Sequence, residues 1–208
     1  MDDPLAALDA EFRENMALEL RALHDRMRST TVYVTHDQWE AMQMGDKIVV
    51  MKHGVVERFG CPQDIYGGPA TTFATRFISS PTMNLLNFDG MVGNGSTQVT
   101  LSDAAIQIPP IISGANGVLT LDVRPEHIRL DDAAPLKGRI LAAEYLGTTQ
   151  IITLDTPHDP VKARTPSTQS ATIGDTTGIA FDARSITLFD DTGHALISEA
   201  NQKVLSHG

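Results

Sequence analysis

The amino-acid sequence predicts an α/β segment followed by an all-β barrel or sandwich domain, with the change near Pro81. Three observations carry this prediction. A helical period over residues 8–28 runs straight into the β-branched segment 31–35, helix then strand in the alternation of α/β folds. A second helix start, Asp37 with Glu40 three residues later, follows that segment at once. Beyond Pro81 the chain breaks into short alternating segments punctuated by Gly, Pro, Asn and Asp, at the spacing of about 8–12 residues that marks all-β domains.

Each element follows from local chemistry. Phe12, Met16, Leu20, Leu23 and Met27 recur at steps of four, four, three and four, which predicts one buried stripe on a helix whose other positions are largely Glu, Arg and Asn. The run TVYVTH predicts a short strand over residues 31–35, buried on both faces of a parallel sheet, with His36 at its C-terminal tip. Asp37 is placed to cap the next helix, and Glu40 to reach back to it as in a capping box. Residues 48–51 and 55–56, joined across Gly54, predict a hairpin. CPQDIY and ATTFATRFI predict two short helices separated by Gly67-Gly68-Pro69. NFDGMVG, STQVTL, AIQIPP, VLTLDVRPEHIRL, LKGRILAAEYLGTTQIITL and GIAFDARSITLFD then predict the strands of the β domain. The domains so read are residues 1–80 and 81–208.

Composition excludes several function classes. Lys and Arg number 16 against 26 Asp and Glu, a formal net charge of −10 that repels a phosphate backbone, so nucleic acid is not an expected partner. No run reaches the roughly 18 apolar residues of a membrane span. The start of the sequence has no basic region followed by an apolar stretch, and the protein is expected in the cytoplasm. Cys61 is the single cysteine, which leaves no internal disulfide and, with no basic neighbour in sequence, reads as an incidental or buried thiol. Met42 and Met44 near Trp39 read as packing residues. His24, His53, His158, His194 and His207 show no metal-site spacing.

Two places can carry chemistry. Adjacent carboxylates such as Asp2 and Asp3 can divide labour, one holding hydrated Mg²⁺ and the next polarising a water for attack on a phosphoryl group; a solvated acidic N-terminus is the competing reading. His36 lies where a parallel strand delivers ligand-facing residues in α/β folds, and its imidazole can donate to a phosphate oxygen; a structural histidine is the alternative.

The combination decides between them. DDPLAALDA, a helix of about five turns, VYVTHDQWEAM and then a hairpin resemble the ATP-binding subunit of bacterial ABC importers of the carbohydrate and sn-glycerol-3-phosphate group. The resemblance runs through ELRALH, YVTHDQWEAM, GDKIVVMKHG, IYGGPATTF and FISSPTMNLL, and returns as VRPEHI and ITLFDDTG. It implies that residues 1–80 are the C-terminal part of a P-loop ABC ATPase domain, an α/β remnant, and that residues 81–208 are an OB-like TOBE regulatory domain. By position it makes Asp2 the Walker B aspartate on the Mg²⁺ side and Asp3 the counterpart of the catalytic glutamate. Leu8 and Asp9 fall in the D-loop near the partner copy's nucleotide, and His36 matches the histidine that senses the γ-phosphate. Pro4 and Leu5 match the family's turn.

Two departures matter. Asp3 is one methylene shorter than glutamate, which sets the attacking water about 1 Å further from phosphorus, and a misplacement of that size can cost on the order of 100-fold. The sequence also holds no G-x-x-x-x-G-K-[ST] stretch, no Q-loop and no LSGGQ-type signature, and the family's phosphate site needs them. The resemblance therefore implies ATP and Mg²⁺ in an intact parent, with neither held tightly by this chain. It implies a homodimer, membrane permease subunits as partners and a peripheral position on the inner face of the bacterial plasma membrane. In the β half, Pro125 breaks the strand after Arg124, and Glu126 and His127 read as turn residues. Phe88, Tyr145, Phe181 and Phe189 are too few aromatics, in a domain that is not basic, for an OB-type nucleic-acid binder. The alternative to an ATPase subunit is a non-enzymatic regulatory or dimerisation module that binds a small anion or a regulatory protein through this domain.

Overall fold

Asp9 starts the first helix. Its Oδ1 accepts from Phe12 N at 3.0 Å and opens α1 (Ala10–Met27), which ends at Arg28 in the left-handed region. The computed structural model describes residues 1–67, 71–77 and 82–202, and these fall into two compact units divided at Gly67/Gly68.

In the first unit the predicted helix is present but its buried face is not the predicted one. Phe12 and Met27 are each 63% exposed, and Met16 and Leu23 are exposed too. The covered positions are Arg13, Ala17, Leu20, Arg21 and His24, a stripe displaced by one residue, or about 100° around the helix. Polar contacts set this rotation: Arg21 Nη1 reaches Met44 O at 2.8 Å and Arg21 Nη2 reaches Asp46 Oδ1 at 2.9 Å, while Arg13 bonds Asp37.

The segment 31–35 also differs from expectation. It is extended, but it is not a strand buried on both faces, and Val32 is 74% exposed. Among the described residues its backbone pairs with the first three residues, through a parallel bridge between Asp2 and Val34. Asp3 N donates to Val34 O at 2.7 Å, Val34 N to Met1 O at 2.9 Å, and the terminal ammonium to Val32 O at 2.8 Å. Pairing on a single edge leaves the outward valines uncovered.

Asp37 caps α2 (Gln38–Met44) as expected, its Oδ1 accepting from Trp39 N at 2.8 Å and Glu40 N at 3.1 Å. Glu40 does not close a capping box. Asp37 N donates instead to Thr35 Oγ1 at 2.9 Å, and the Glu40 side chain turns into the interior. The hairpin is as predicted, β1 (Ile48–Lys52) against β2 (Val55–Gly60), turning at His53 and Gly54 with φ of 48° and 81°. Two successive positive φ values match the twist of the flanking strands, and glycine supplies one without steric cost. α3 (Pro62–Gly67) follows and buries Ile65.

The second unit takes in α4 (Thr72–Phe77) as well as the β segments, because Thr72 N donates to Gly193 O at 3.0 Å and Thr71 bridges His194. The sequence reading grouped this helix with residues 1–80. Residues 68–70 and 78–81, where Gly68, Pro69 and the expected boundary fall, lie outside the described residues, as does His207.

The strands are β3 (Asn84–Val92), β4 (Gln98–Leu101), β5 (Ala104–Gln107), β6 (Ala115–Val123), β7 (Ile128–Leu130), β8 (Leu136–Tyr145), β9 (Thr149–Asp155), β10 (Val161–Pro166), β11 (Thr176–Phe181) and β12 (Thr187–Phe189). They form a five-stranded sheet in the order β10-β9-β8-β11-β7, a three-stranded sheet β12-β6-β3 and the hairpin β4-β5. One apolar cluster joins them, with Leu86, Leu101, Leu119, Leu121, Ile152 and Ile179 among its members. β10 was not foreseen, since Lys162 and Arg164 mask the inward alternation of Val161, Ala163 and Thr165.

Asn84 fastens two of the sheets. Its buried amide donates to Val123 O at 3.1 Å and Lys162 O at 2.9 Å and accepts from Lys162 N at 2.6 Å, so β3 and β6 are tied to β10 by one side chain. Gly178 in β11 is required sterically: a Cβ there would collide with the Asp131 carbonyl.

Candidate functional site

The two residues expected to do chemistry meet in the first unit. Asp3 adopts a left-handed φ of 43°, which aspartate tolerates better than most side chains. The turn that follows closes through Leu8 N to Leu5 O at 3.0 Å, with Leu5 buried. His36 comes in from the extended segment, and its Nδ1 lies 2.7 Å from Asp3 Oδ2. An ionised carboxylate can only accept, so Nδ1 carries the proton in this pair. Nε2 of the 76%-exposed ring is left for another partner. Neutral, it offers an acceptor; protonated on both nitrogens, the ring bridges Asp3 and an anionic oxygen.

The other predicted positions are not drawn into this contact. Asp2 is exposed and pairs through its backbone with Val34. Among the described residues no group of three or more His, Cys, Asp or Glu is arranged to hold a metal. The Asp9 carboxylate is engaged as the α1 cap, and Leu8 presents its carbonyl to Arg13 Nη2 at 2.9 Å.

Behind the pair lies a polar network that the sequence reading missed. Glu40, 1% exposed, accepts at Oε2 from Tyr33 OH at 2.8 Å and Thr35 Oγ1 at 2.9 Å. Thr35 Oγ1 is also 3.4 Å from Asp3 Oδ1. Burial, the hydrogen bond to Glu40 and the nearby carboxylates together push the Tyr33 phenol well above its ordinary range, so it stays a donor at any physiological pH. Arg13 Nε faces Glu40 Oε1 at 3.7 Å, an ionic contact longer than a hydrogen bond. One signal was available: Tyr33 and Thr35 are two apart in an extended segment, so both hydroxyls share a side.

In the second unit, Pro125, Glu126 and His127 form the expected turn, with His127 N donating to Arg124 O at 3.0 Å and Asp182 N to His127 O at 2.9 Å. An open cleft of about 900 Å³ lies over the three-stranded sheet. It is lined among others by Asn84, Asn87, Thr120, Asp159, Asp190 and Asp191, and no Lys or Arg is among its described lining residues. Partial burial works to raise the Asp190 pKa, but donors from Thr192 and His194 hold it below the usual carboxylate range. A lining rich in ionised carboxylates repels a small anion. Cys61 donates its Sγ–H to Asp64 Oδ2 at 2.9 Å.

Comparison with known proteins adds the following. The profile of the TOBE domain matches residues 121–189. A protein of Ruegeria pomeroyi named sn-glycerol-3-phosphate import ATP-binding protein UgpC is 43% identical over 154 residues, covering 73% of this chain and 41% of that protein. A UgpC 3 protein of Agrobacterium fabrum is 37% identical over 199 residues, 92% of this chain and 54% of that protein. An ABC transporter ATP-binding protein of Sinorhizobium fredii, y4oS, is 43% identical over 149 residues, 71% of this chain and 40% of that protein. The chain thus spans about half the length, or less, of the relatives it matches. Among solved structures, the cytoplasmic molybdate-binding protein ModG aligns with a TM-score of 0.35 at 12% identity, over 50% of this chain and 94% of that one; a likeness that distant bears on no functional argument.

Proposed function

The chain is a homologue of ABC-importer ATP-binding subunits and carries a TOBE domain, and from this we propose that it is the C-terminal portion of such a subunit in an importer of sugars or glycerol phosphate. The observation that carries the reading is the 2.7 Å contact between Asp3 and His36, residues 33 positions apart in sequence. A carboxylate and an imidazole in contact, the ring otherwise exposed, make a pair suited to orienting a water and facing a phosphate oxygen. Asp3 has the role of water-orienting base in this proposal, His36 that of phosphate sensor, and Leu8 and Asp9 lie toward the nucleotide of a second copy.

These 208 residues by themselves do not fit Mg²⁺–ATP. Asp2 is a single exposed carboxylate, and the sequence contains no glycine-lysine phosphate loop. The residues present supply the far side of a phosphate site: an acceptor for a water proton at Asp3 and a ring nitrogen at His36. Transport then requires permease subunits in the membrane, and the chain works peripherally at the cytoplasmic face.

Purified chain is tested for ATP binding and hydrolysis with Mg²⁺, beside His36→Ala. Neither binding nor turnover is expected from this chain. Binding that weakens in the variant would mean that a phosphate site forms without the glycine-lysine loop, and the proposed division of the site would be wrong.

A second reading, a non-enzymatic regulatory module, draws on the acidic cleft of the second unit. Its chemistry favours a basic protein segment over a small anion.

A further inference from the structure

A single guanidinium spans three segments of the first unit. Arg13, in the first turn of α1, places Nη2 2.9 Å from Leu8 O, Nη1 3.2 Å from Asp37 Oδ2 and Nε 3.7 Å from Glu40 Oε1. Leu8 ends the turn that begins at Asp3. Asp37 follows His36 directly and caps α2. Glu40 is buried and holds Tyr33 and Thr35, the residues on either side of Val34 in the segment that leads into His36. Thr35 completes the circuit at Asp3 Oδ1, 3.4 Å away.

This arrangement has two physical consequences. A buried carboxylate needs a counter-charge, and Arg13 is the cation facing Glu40. A planar fork can also serve acceptors on three segments at once, whereas a lysine ammonium on a flexible stem concentrates its donors at one point. The spacing between the Leu8 turn and the His36 loop is thus set through one rigid group.

We propose that Arg13 is a positioning residue for the Asp3–His36 pair, coupling the place of the Leu8–Asp9 turn to the orientation of the imidazole. The coupling is a property of the unliganded chain. It rests on the proposed ATPase reading only for its catalytic meaning.

The test is the ring ¹⁵N NMR signature of His36, which reports the balance of its Nδ1–H and Nε2–H tautomers, in the full 208-residue chain without nucleotide at one fixed, mildly alkaline pH. Wild type is compared with Asp3→Ala, Arg13→Lys, Arg13→Met and Asp37→Asn. Asp3→Ala defines the response to losing the direct partner of Nδ1. Arg13→Met is expected to move the balance in the same direction, away from Nδ1–H, with Arg13→Lys restoring only part of it. A folded Arg13→Met chain whose ring shifts match wild type would overturn the proposal. Should Arg13→Met unfold the first unit, Asp37→Asn decides, because asparagine keeps the cap acceptor while removing the ion pair with Arg13: a move in the same direction supports the coupling, and unchanged ring shifts overturn it. Failure of the ATPase reading shows separately, as absence of any His36→Ala effect on hydrolysis in a full-length subunit.

Discussion

Replacing Asp122 by asparagine should stabilise the second unit at pH 8 and remove most of its loss of stability between pH 4 and 8. Asp122 lies in β6 at 1% exposure, and its Oδ1 has no hydrogen-bond partner among the described residues. Burial pushes its pKa from 3.8 up to about 8, with Arg124 and Thr75 pulling the other way without offsetting it. Because the folded-state pKa lies above the unfolded value, the folded chain holds the proton more tightly. Its contribution to stability is complete below about pH 4, falls as pH rises toward 8, and is level beyond that. The interval from 3.8 to about 8, at about 1.4 kcal/mol per pH unit, sets a ceiling of roughly 6 kcal/mol. Local relaxation and water entry reduce this, and about 2–4 kcal/mol is the expected loss in wild type. Asparagine is neutral throughout, so its stability should vary by less than about 1 kcal/mol from this source. The assay is urea denaturation at pH 4, 5, 6.5 and 8, followed on resolved amide resonances of β6 so that the second unit is read alone. Parallel stability curves for wild type and Asp122→Asn would refute the assignment of the pH dependence to this carboxyl.

Other consequences are open to direct measurement. Gly178→Ala drives a methyl into the Asp131 carbonyl and should cost the second unit about 1–3 kcal/mol or more in urea melts. Asn84→Leu strips the partners from Lys162 N and O and should destabilise by about 2–4 kcal/mol, with exchange of the Lys162 amide rising more than that of Leu121; equal changes at both would show that the clamp is not local. The first unit should exchange its amides faster than the second, since its extended segment pairs on one edge and its α1 stripe is uncovered. Equal or stronger protection in residues 1–67 would contradict this.

What the amino-acid sequence determined was local in range. The Asp37 cap, the turn at His53-Gly54 and the all-β rhythm after Pro81 depend on contacts within a few residues, and so could be read without the fold. Asp3 and His36 were legible as candidates because family motifs mark them by residue type and spacing. Tertiary structure decided which faces are covered and which charges are paired. Periodicity identifies an apolar stripe on α1 but not what packs on it, and polar contacts from Arg13 and Arg21 turned the helix by one position. Glu40 looked like half of a capping box, yet the hydroxyls of Tyr33 and Thr35 and the charge of Arg13 drew it inward. Asp122 falls within the strand segment VLTLDV, and only the fold makes it a buried carboxyl faced by Thr75 of α4 and by Arg124. Burial and pairing depend on residues distant in the chain, and their energies are those of desolvated charge, which no window along the sequence contains.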